Sequence, residues 1–415
     1  MTNLPKNLRQ LRLPVLILSL AFLGRCGDKA PAPSFSIRKP NALSFSKSWE
    51  ANIGFPDSLN AVIKRVKGNL VANAPTHNGN LQSVSVDDGR SWSHPILLNL
   101  CDRPVFPVSY RDQSFWYLSR EQVPDGGQFY VHTPNKNGWN PPSPVRDTYW
   151  GQCGAFQFAF DSVGGAYAVF DDYREGNPDV YFSYSLDTGK TWSPNVRIND
   201  DHTGQEQVEP VIAASPSGRL CILWADNRNS RTLFDIYCST SSDRGKTWSR
   251  SIKVNDDTTH TWQGTPSLIY SGKNFCGAWM DYRDVGASGD LRSNIYFASS
   301  EDHGTTWSPS IRISENSLGN STYPNLYKTG TQMLGCLWMD SGENILDDIF
   351  YAYSPDRGAS WSVPMKVNDD TALTAHYHRG IGWLGAGHDG ENVVGWLDDP
   401  DRKAPRTIGY YARRG

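Results

Sequence analysis

An all-β repeat fold is predicted for this 415-residue chain, and three features predict it. The first is an eight-residue pattern, Ser-x-Asp-x-Gly-x-(Ser/Thr)-Trp. It recurs at Ser85–Trp92, Ser185–Trp192, Ser241–Trp248, Ser300–Trp307 and Ser354–Trp361, with a shortened copy at Thr133–Trp139. The second is a grammar of short apolar runs separated by turn residues, repeating about every 50 residues, the signature of stacked supersecondary units. The third is a last unit that stops one strand early, at Thr407–Ala412.

The eight-residue box reads as a tight hairpin. Its Gly supplies the positive φ that a turn between two strands needs. Its Asp and Ser can hydrogen-bond backbone groups within the turn. Its Trp covers the edge where the turn meets the sheet, burying roughly 150–250 Å². Five identical boxes argue for structure over catalysis, since a catalytic role would demand five identical sites.

Unit four shows the grammar in full. Pro210–Ala214, Arg219–Ala225, Asp235–Thr240 and Ser251–Val254 read as four strands, with a box between the third and fourth. One such sheet cannot bury both faces, so copies must stack. Units begin near Asn60, Pro104, Phe156, Pro210, Pro266, Pro324 and Gly380. A radial array of four-stranded sheets is a β-propeller. Seven blades are expected, with six as the alternative if the weakly patterned first unit is not a blade. The N-terminal segment Ala42–Ser48 can supply the missing strand of the last unit, closing the ring and removing an exposed edge.

The chain divides into an export signal at 1–26, a linker at 27–34 and one propeller domain at 35–415. Lys6, Arg9 and Arg12 precede an apolar stretch, Leu13–Leu23, too short to span a bilayer. The following Gly24-Arg25-Cys26 resembles a bacterial lipoprotein signal with Cys26 as the lipidated residue, although Arg25 departs from the usual small residue. This implies a cell-envelope lipoprotein or a secreted protein, touching the membrane only through a lipid anchor.

Net charge is −3, from 40 basic and 43 acidic residues, so there is no basic excess for nucleic acid. Cys221, Cys238, Cys276 and Cys336 fall on strands and read as small buried hydrophobes. Cys101 and Cys153 occupy equivalent places in adjacent units. No His/Cys spacing suggests zinc, and no cofactor or metal is expected.

Strand order puts the box turns on one face. The longer, more varied connections lie on the other, where function usually sits. After the second strand a Trp-x-Asp-x-Arg set recurs as Trp224/Asp226/Arg228 and Trp279/Asp281/Arg283, with Phe170/Asp172/Arg174 as a variant. Its repetition favours an Asp–Arg brace between blades; a ligand-facing ring of charge is the alternative. Symmetry breaks just before the innermost strands, at Arg103, Ala155, Glu209, Thr265, Tyr323 and Arg379. These are expected to ring the mouth of the central channel, with His260, Trp262, His376 and His378 nearby. An ordinary polar lining is the alternative.

The box pattern resembles the Asp-box, or BNR repeat, of the sialidase superfamily. The resemblance implies a structural turn away from the active site, and a carbohydrate-active enzyme. By role it implies Tyr323 as nucleophile, Glu209 as its base, and Arg103 and Arg379 as a clamp on a substrate carboxylate, since a guanidinium matches a carboxylate in a bidentate fork. The third clamp residue has no clear match, with Arg283 or Arg292 as candidates; Asp125 would be the acid, and His376 and Trp262 further substrate contacts. The family's Arg-Ile-Pro motif is absent, Tyr323 precedes Arg379 rather than following it, and the family propeller has six blades. The expected function is therefore an exported glycoside hydrolase or lyase acting on acidic glycans. The alternative is a non-catalytic propeller that binds glycan or an envelope protein.

Overall fold

A computed structural model describes residues 49–56, 62–66, 69–76, 79–87, 90–98, 105–110, 114–123, 126–259, 261–284, 292–315, 319–328, 332–341, 347–367, 378–386, 392–398 and 406–413. They form seven four-stranded antiparallel sheets and one two-stranded ribbon. The first sheet begins at Val62–Val66, so the weakly patterned first unit is among the seven. Innermost strands of successive sheets sit side by side from the third blade through the seventh, and on to the first and second. The architecture is a β-propeller.

The last sheet contains His378–Ala386, Asn392–Asp398, Arg406–Arg413 and, outermost, the N-terminal strand Trp49–Pro56. Trp49 pairs with Tyr411 and Asn52 with Ile408. The closing strand is thus N-terminal, as the truncated last unit requires, but its residues correct the expectation. It is Trp49–Pro56, while Ala42–Ser48 lie outside the described residues.

The box turns repeat almost atom for atom. Each Ser hydroxyl donates to its Asp at 2.7–2.9 Å, in Ser85/Asp87, Ser185/Asp187, Ser241/Asp243, Ser300/Asp302 and Ser354/Asp356. The same Asp accepts from the backbone N–H and the hydroxyl four residues on, as Asp243 does from Thr247 at 2.9 and 2.6 Å. The turn needs positive φ at two successive residues, as in a type I′ hairpin. Arg244 has φ 63° and Gly245 φ 85°. The glycine has a second reason to be there: a Cβ on Gly245 would lie 2.3 Å from the Phe182 ring of the preceding blade. The box Trp also reaches back one blade. Trp248 meets Phe182 edge-on at 4.9 Å, and Trp361 meets Phe297 at 5.1 Å. The box is therefore a clasp between blades as well as a turn. The shortened copy at Thr133–Trp139 forms the two-stranded ribbon, Pro134–Asn135 with Gly138–Trp139.

The core lies between blades. Trp224, Trp279 and Trp338 occupy equivalent places on second strands and are fully buried, with Cys221, Cys276 and Cys336 beside them as small buried side chains. Cys153 is likewise a buried free thiol, and Cys101 lies outside the described residues.

Candidate functional site

On the connection face the recurrent Asp and Arg form a structural lattice. Arg228 pairs with Asp226 of its own blade at 2.7 Å and with Asp200, in the connection from blade three, at 2.9 Å. Its guanidinium lies over the Tyr237 ring, 4.2 Å from the centroid. Arg174 repeats this with Asp172, Asp147 and Tyr181. Arg283 does so with Asp281, Asp256 and Tyr296. The repeated set is the inter-blade brace. Arg283, a candidate third clamp residue, has its guanidinium committed to that brace.

The described positions where the repeat breaks symmetry, Ala155, Glu209, Thr265, Tyr323 and Arg379, sit inside the innermost strands, not just before them as expected. Four innermost strands, Cys153–Phe160, Gln207–Ala214, Gln263–Ser271 and Asn320–Lys328, carry a register irregularity near their start. The residues at these bulges are Ala155, Glu209, Thr265 and Tyr323. Three of them adopt left-handed backbone: Glu209 at φ 55°, Thr265 at 46° and Tyr323 at 54°. A β-branched residue there is a true outlier, and such strain concentrates at functional sites. A bulge re-aims its side chain, which is how one position can serve a different purpose in each blade.

Glu209 and its neighbours form a chain across three blades. The Glu209 carboxylate accepts the backbone N–H of Thr265, the next bulge residue, at 2.7 Å. The Glu209 N–H in turn points at Asp171 Oδ2, 3.4 Å away. Burial raises the Glu209 pKa, against the lowering effect of the Thr265 N–H. Asp171 is 3% exposed, and burial, opposed by backbone N–H groups and reinforced by the Glu209 charge, pushes its pKa up to about 7. Its other oxygen lies so close to Gly154 that a Cβ there would sit 1.9 Å away. Register places Asp171 opposite Val180, as it places Ala225 opposite Ile236 and Met280 opposite Ile295. One blade therefore carries a buried acid where the next two carry apolar side chains. Asp171 went unnoticed in the sequence because it stands next to the recurrent Asp172. Its signal was the departure from Ala225, Met280 and Met339.

The remaining expected residues are placed as follows. Arg103, Asp125, His260 and His376 lie outside the described residues. Arg379 falls in the innermost strand His378–Ala386, where a register irregularity spans it. Trp262 is half-buried beside Gly264, edge-on to Tyr282 at 5.8 Å and to Phe234 at 6.5 Å. Glu209 is directed onto Thr265, the bulge residue of the blade between it and Tyr323. A cavity of about 640 Å³, bordered by Phe160, Pro216, Tyr270 and Lys328, opens at the turn-side ends of blades three to six, on the face opposite Glu209.

Two carboxyl groups joined by one backbone link both have raised proton affinity, Asp171 to about 7. Such a pair suits donation and acceptance of protons in one reaction. The fold and the Asp boxes together define a BNR-type β-propeller. The BNR repeat-like domain matches residues 166–375, half of the chain, and the chain belongs to that family. A sialidase of Clostridium perfringens is 23% identical over 233 residues, 49% of this chain and 59% of that protein. The chain thus spans about three-fifths of the curated relative it matches. Among solved structures, an ulvan lyase bound to -[GlcA(1-4)Rha3S]- superposes with a TM-score of 0.59 at 12% identity, covering 86% of this chain and 94% of that one. This likeness shows a shared fold. The α-L-arabinofuranosidase Arb93A of Fusarium graminearum aligns with a TM-score of 0.47 at 13% identity, covering 72% of this chain and 94% of that one.

Proposed function

We propose that this chain is a glycan-cleaving propeller, of the hydrolase or lyase type, working on the connection face over blades three to five. The observation that carries the reading is the Asp171–Glu209 pair. It occupies positions where the repeat is broken, with strained backbone at Glu209 and both proton affinities raised. The sialidase relative supports glycan as the substrate class. Glu209 is assigned the proton-transferring role at the scissile bond. Asp171 holds the backbone of Glu209 and sets its charge.

The finer assignment rests on the sequence resemblance. It makes the substrate acidic, with Arg103 and Arg379 holding its carboxylate, Tyr323 as nucleophile and Asp125 as the acid. Export with lipidation at Cys26 belongs to the same proposal, and release of the Cys26→Ser protein from membranes checks it.

The test is a screen of arabinan, ulvan, polygalacturonate and sialylated mucin for new reducing ends or unsaturated products. The wild type is expected to cleave at least one, and Glu209→Gln to lose that cleavage with the fold intact by circular dichroism. Undiminished cleavage by Glu209→Gln would remove the assignment.

A further inference from the structure

Among the described residues most large aromatic side chains are buried or half-buried, and the two most exposed stand side by side in the sequence. Trp150 is 73% exposed and Tyr149 is 51% exposed. They lie on the connection between blade two and blade three, outside every repeated motif. A tryptophan this open gains nothing from the core, so its position calls for another reason.

The backbone beneath these rings is pinned. The Trp150 and Gly151 carbonyls accept from the Arg146 guanidinium at 2.8 and 3.2 Å. Arg146 is itself 2% exposed and locked in a two-pronged pair with Asp172, both contacts at 2.9 Å. The Tyr149 carbonyl accepts from the Gly127 N–H at 3.1 Å. A side chain on Gly126 would lie 1.6 Å from that carbonyl oxygen, so glycine is what lets the strand come this close. The Tyr149 hydroxyl meets that of Tyr130, which also donates to Glu121. The rings thus stand on rigid backbone with a line of hydroxyl and carboxylate groups at one edge.

We infer that Tyr149 and Trp150 form a shelf on which a sugar ring of the glycan stacks, on the same connection face as the Asp171–Glu209 pair. This rests on the reading of the chain as glycan-acting. The shelf is tied to the acid pair by one strand. Tyr173, two residues beyond Asp171, donates its N–H to the Gln152 carbonyl at 2.9 Å. Tyr173 is itself 38% exposed on this face. A pyranose offers a flat C–H face with hydroxyls at its rim, which matches an aromatic surface edged by polar groups. The patch is two or three rings wide. That is far below the roughly 800 Å² per partner of a stable protein interface, so a sugar is the occupant it fits. Preorganisation lowers the entropy lost on binding.

The test is electrophoresis of the full chain through gels containing arabinan, ulvan, polygalacturonate or sialylated mucin. Wild type is expected to be retarded by at least one. Trp150→Ala is expected to lose about tenfold in affinity, roughly 1.4 kcal/mol. Trp150→Phe should keep most of it. Bound glycan should shift the emission of the exposed tryptophan in wild type and not in Trp150→Phe. Trp150 is exposed, so its variants should fold. Equal retardation of wild type and Trp150→Ala overturns the shelf, as does retardation by none of the gels. Binding that depends on Trp150 without any cleavage upholds the shelf and removes the cleavage reading. Cleavage of polymer unchanged in KM by Trp150→Ala removes the shelf and leaves the cleavage reading standing.

Discussion

The five box aspartates and the Asp171–Glu209 pair put the same functional group to opposite uses on opposite faces of one propeller. Each box aspartate sits at the surface with its oxygens filled by N–H and O–H donors from its own turn. Those bonds depress its proton affinity against the opposing effect of what burial there is, and Asp243 and Asp302 fall to about 2. Asp171 is buried and Glu209 half-buried, and both have too few donors to compensate, so their proton affinities rise. Donor supply and solvent access decide whether a carboxylate is held charged as a structural knot or held ready to exchange a proton.

The sharpest way to break this contrast is to remove one carboxylate from each side. Glu209→Gln should lower kcat by about 10²–10⁴-fold, the usual worth of a general acid or base. Asp243→Asn should leave kcat of the folded protein unchanged. Equal losses in a steady-state assay would erase the distinction between the faces.

The next effect is on stability. Trp248→Ala removes a half-buried ring clasped to Phe182 of the neighbouring blade. It should cost about 2–3 kcal/mol in urea unfolding, somewhat below the cost of deleting a fully buried Trp. A protein of native stability would show that the box Trp is not a clasp. Substrate affinity of the folded fraction should not change.

The most discriminating effects are in pH dependence. Asp171 is raised to about 7 in the fold. Its contribution is present below the ordinary carboxylate range and is lost as pH rises toward 7, because the folded state then binds more protons than the unfolded. Asp171→Asn should therefore gain stability over wild type at pH 8, by about 1.4 kcal/mol for each tenfold of altered proton affinity. Asp243 has the opposite sign. Its contribution is present above pH 4 and lost as pH falls toward 2, so Asp243→Asn should flatten the acid limb of the stability curve. Thermal melts from pH 2 to pH 9 would show both, and limbs moving in the same direction would contradict the assignment.

Glu209 and Tyr323 were legible because their positions recur in every unit while their identities do not. The brace was legible for the opposite reason: Asp226/Arg228 and Asp281/Arg283 repeat, so they had to be structural. Asp171 was hidden beside the repeated Asp172. Tyr149 and Trp150 stand between units, where no equivalent position exists for comparison.

What the sequence alone determined is the local chemistry of the turns, the repeated four-stranded unit and the need for an N-terminal strand in the last blade. A box turn is closed by hydrogen bonds that span two to four residues, so its pattern carries its own geometry. The tertiary structure alone decided which strand closes the ring, that Glu209, Thr265 and Tyr323 lie within their strands in left-handed backbone, and that Glu209 meets Asp171 and Thr265. Those contacts join residues 38 and 56 apart across blade boundaries. The burial that sets their charge exists only once neighbouring sheets have packed together and excluded water.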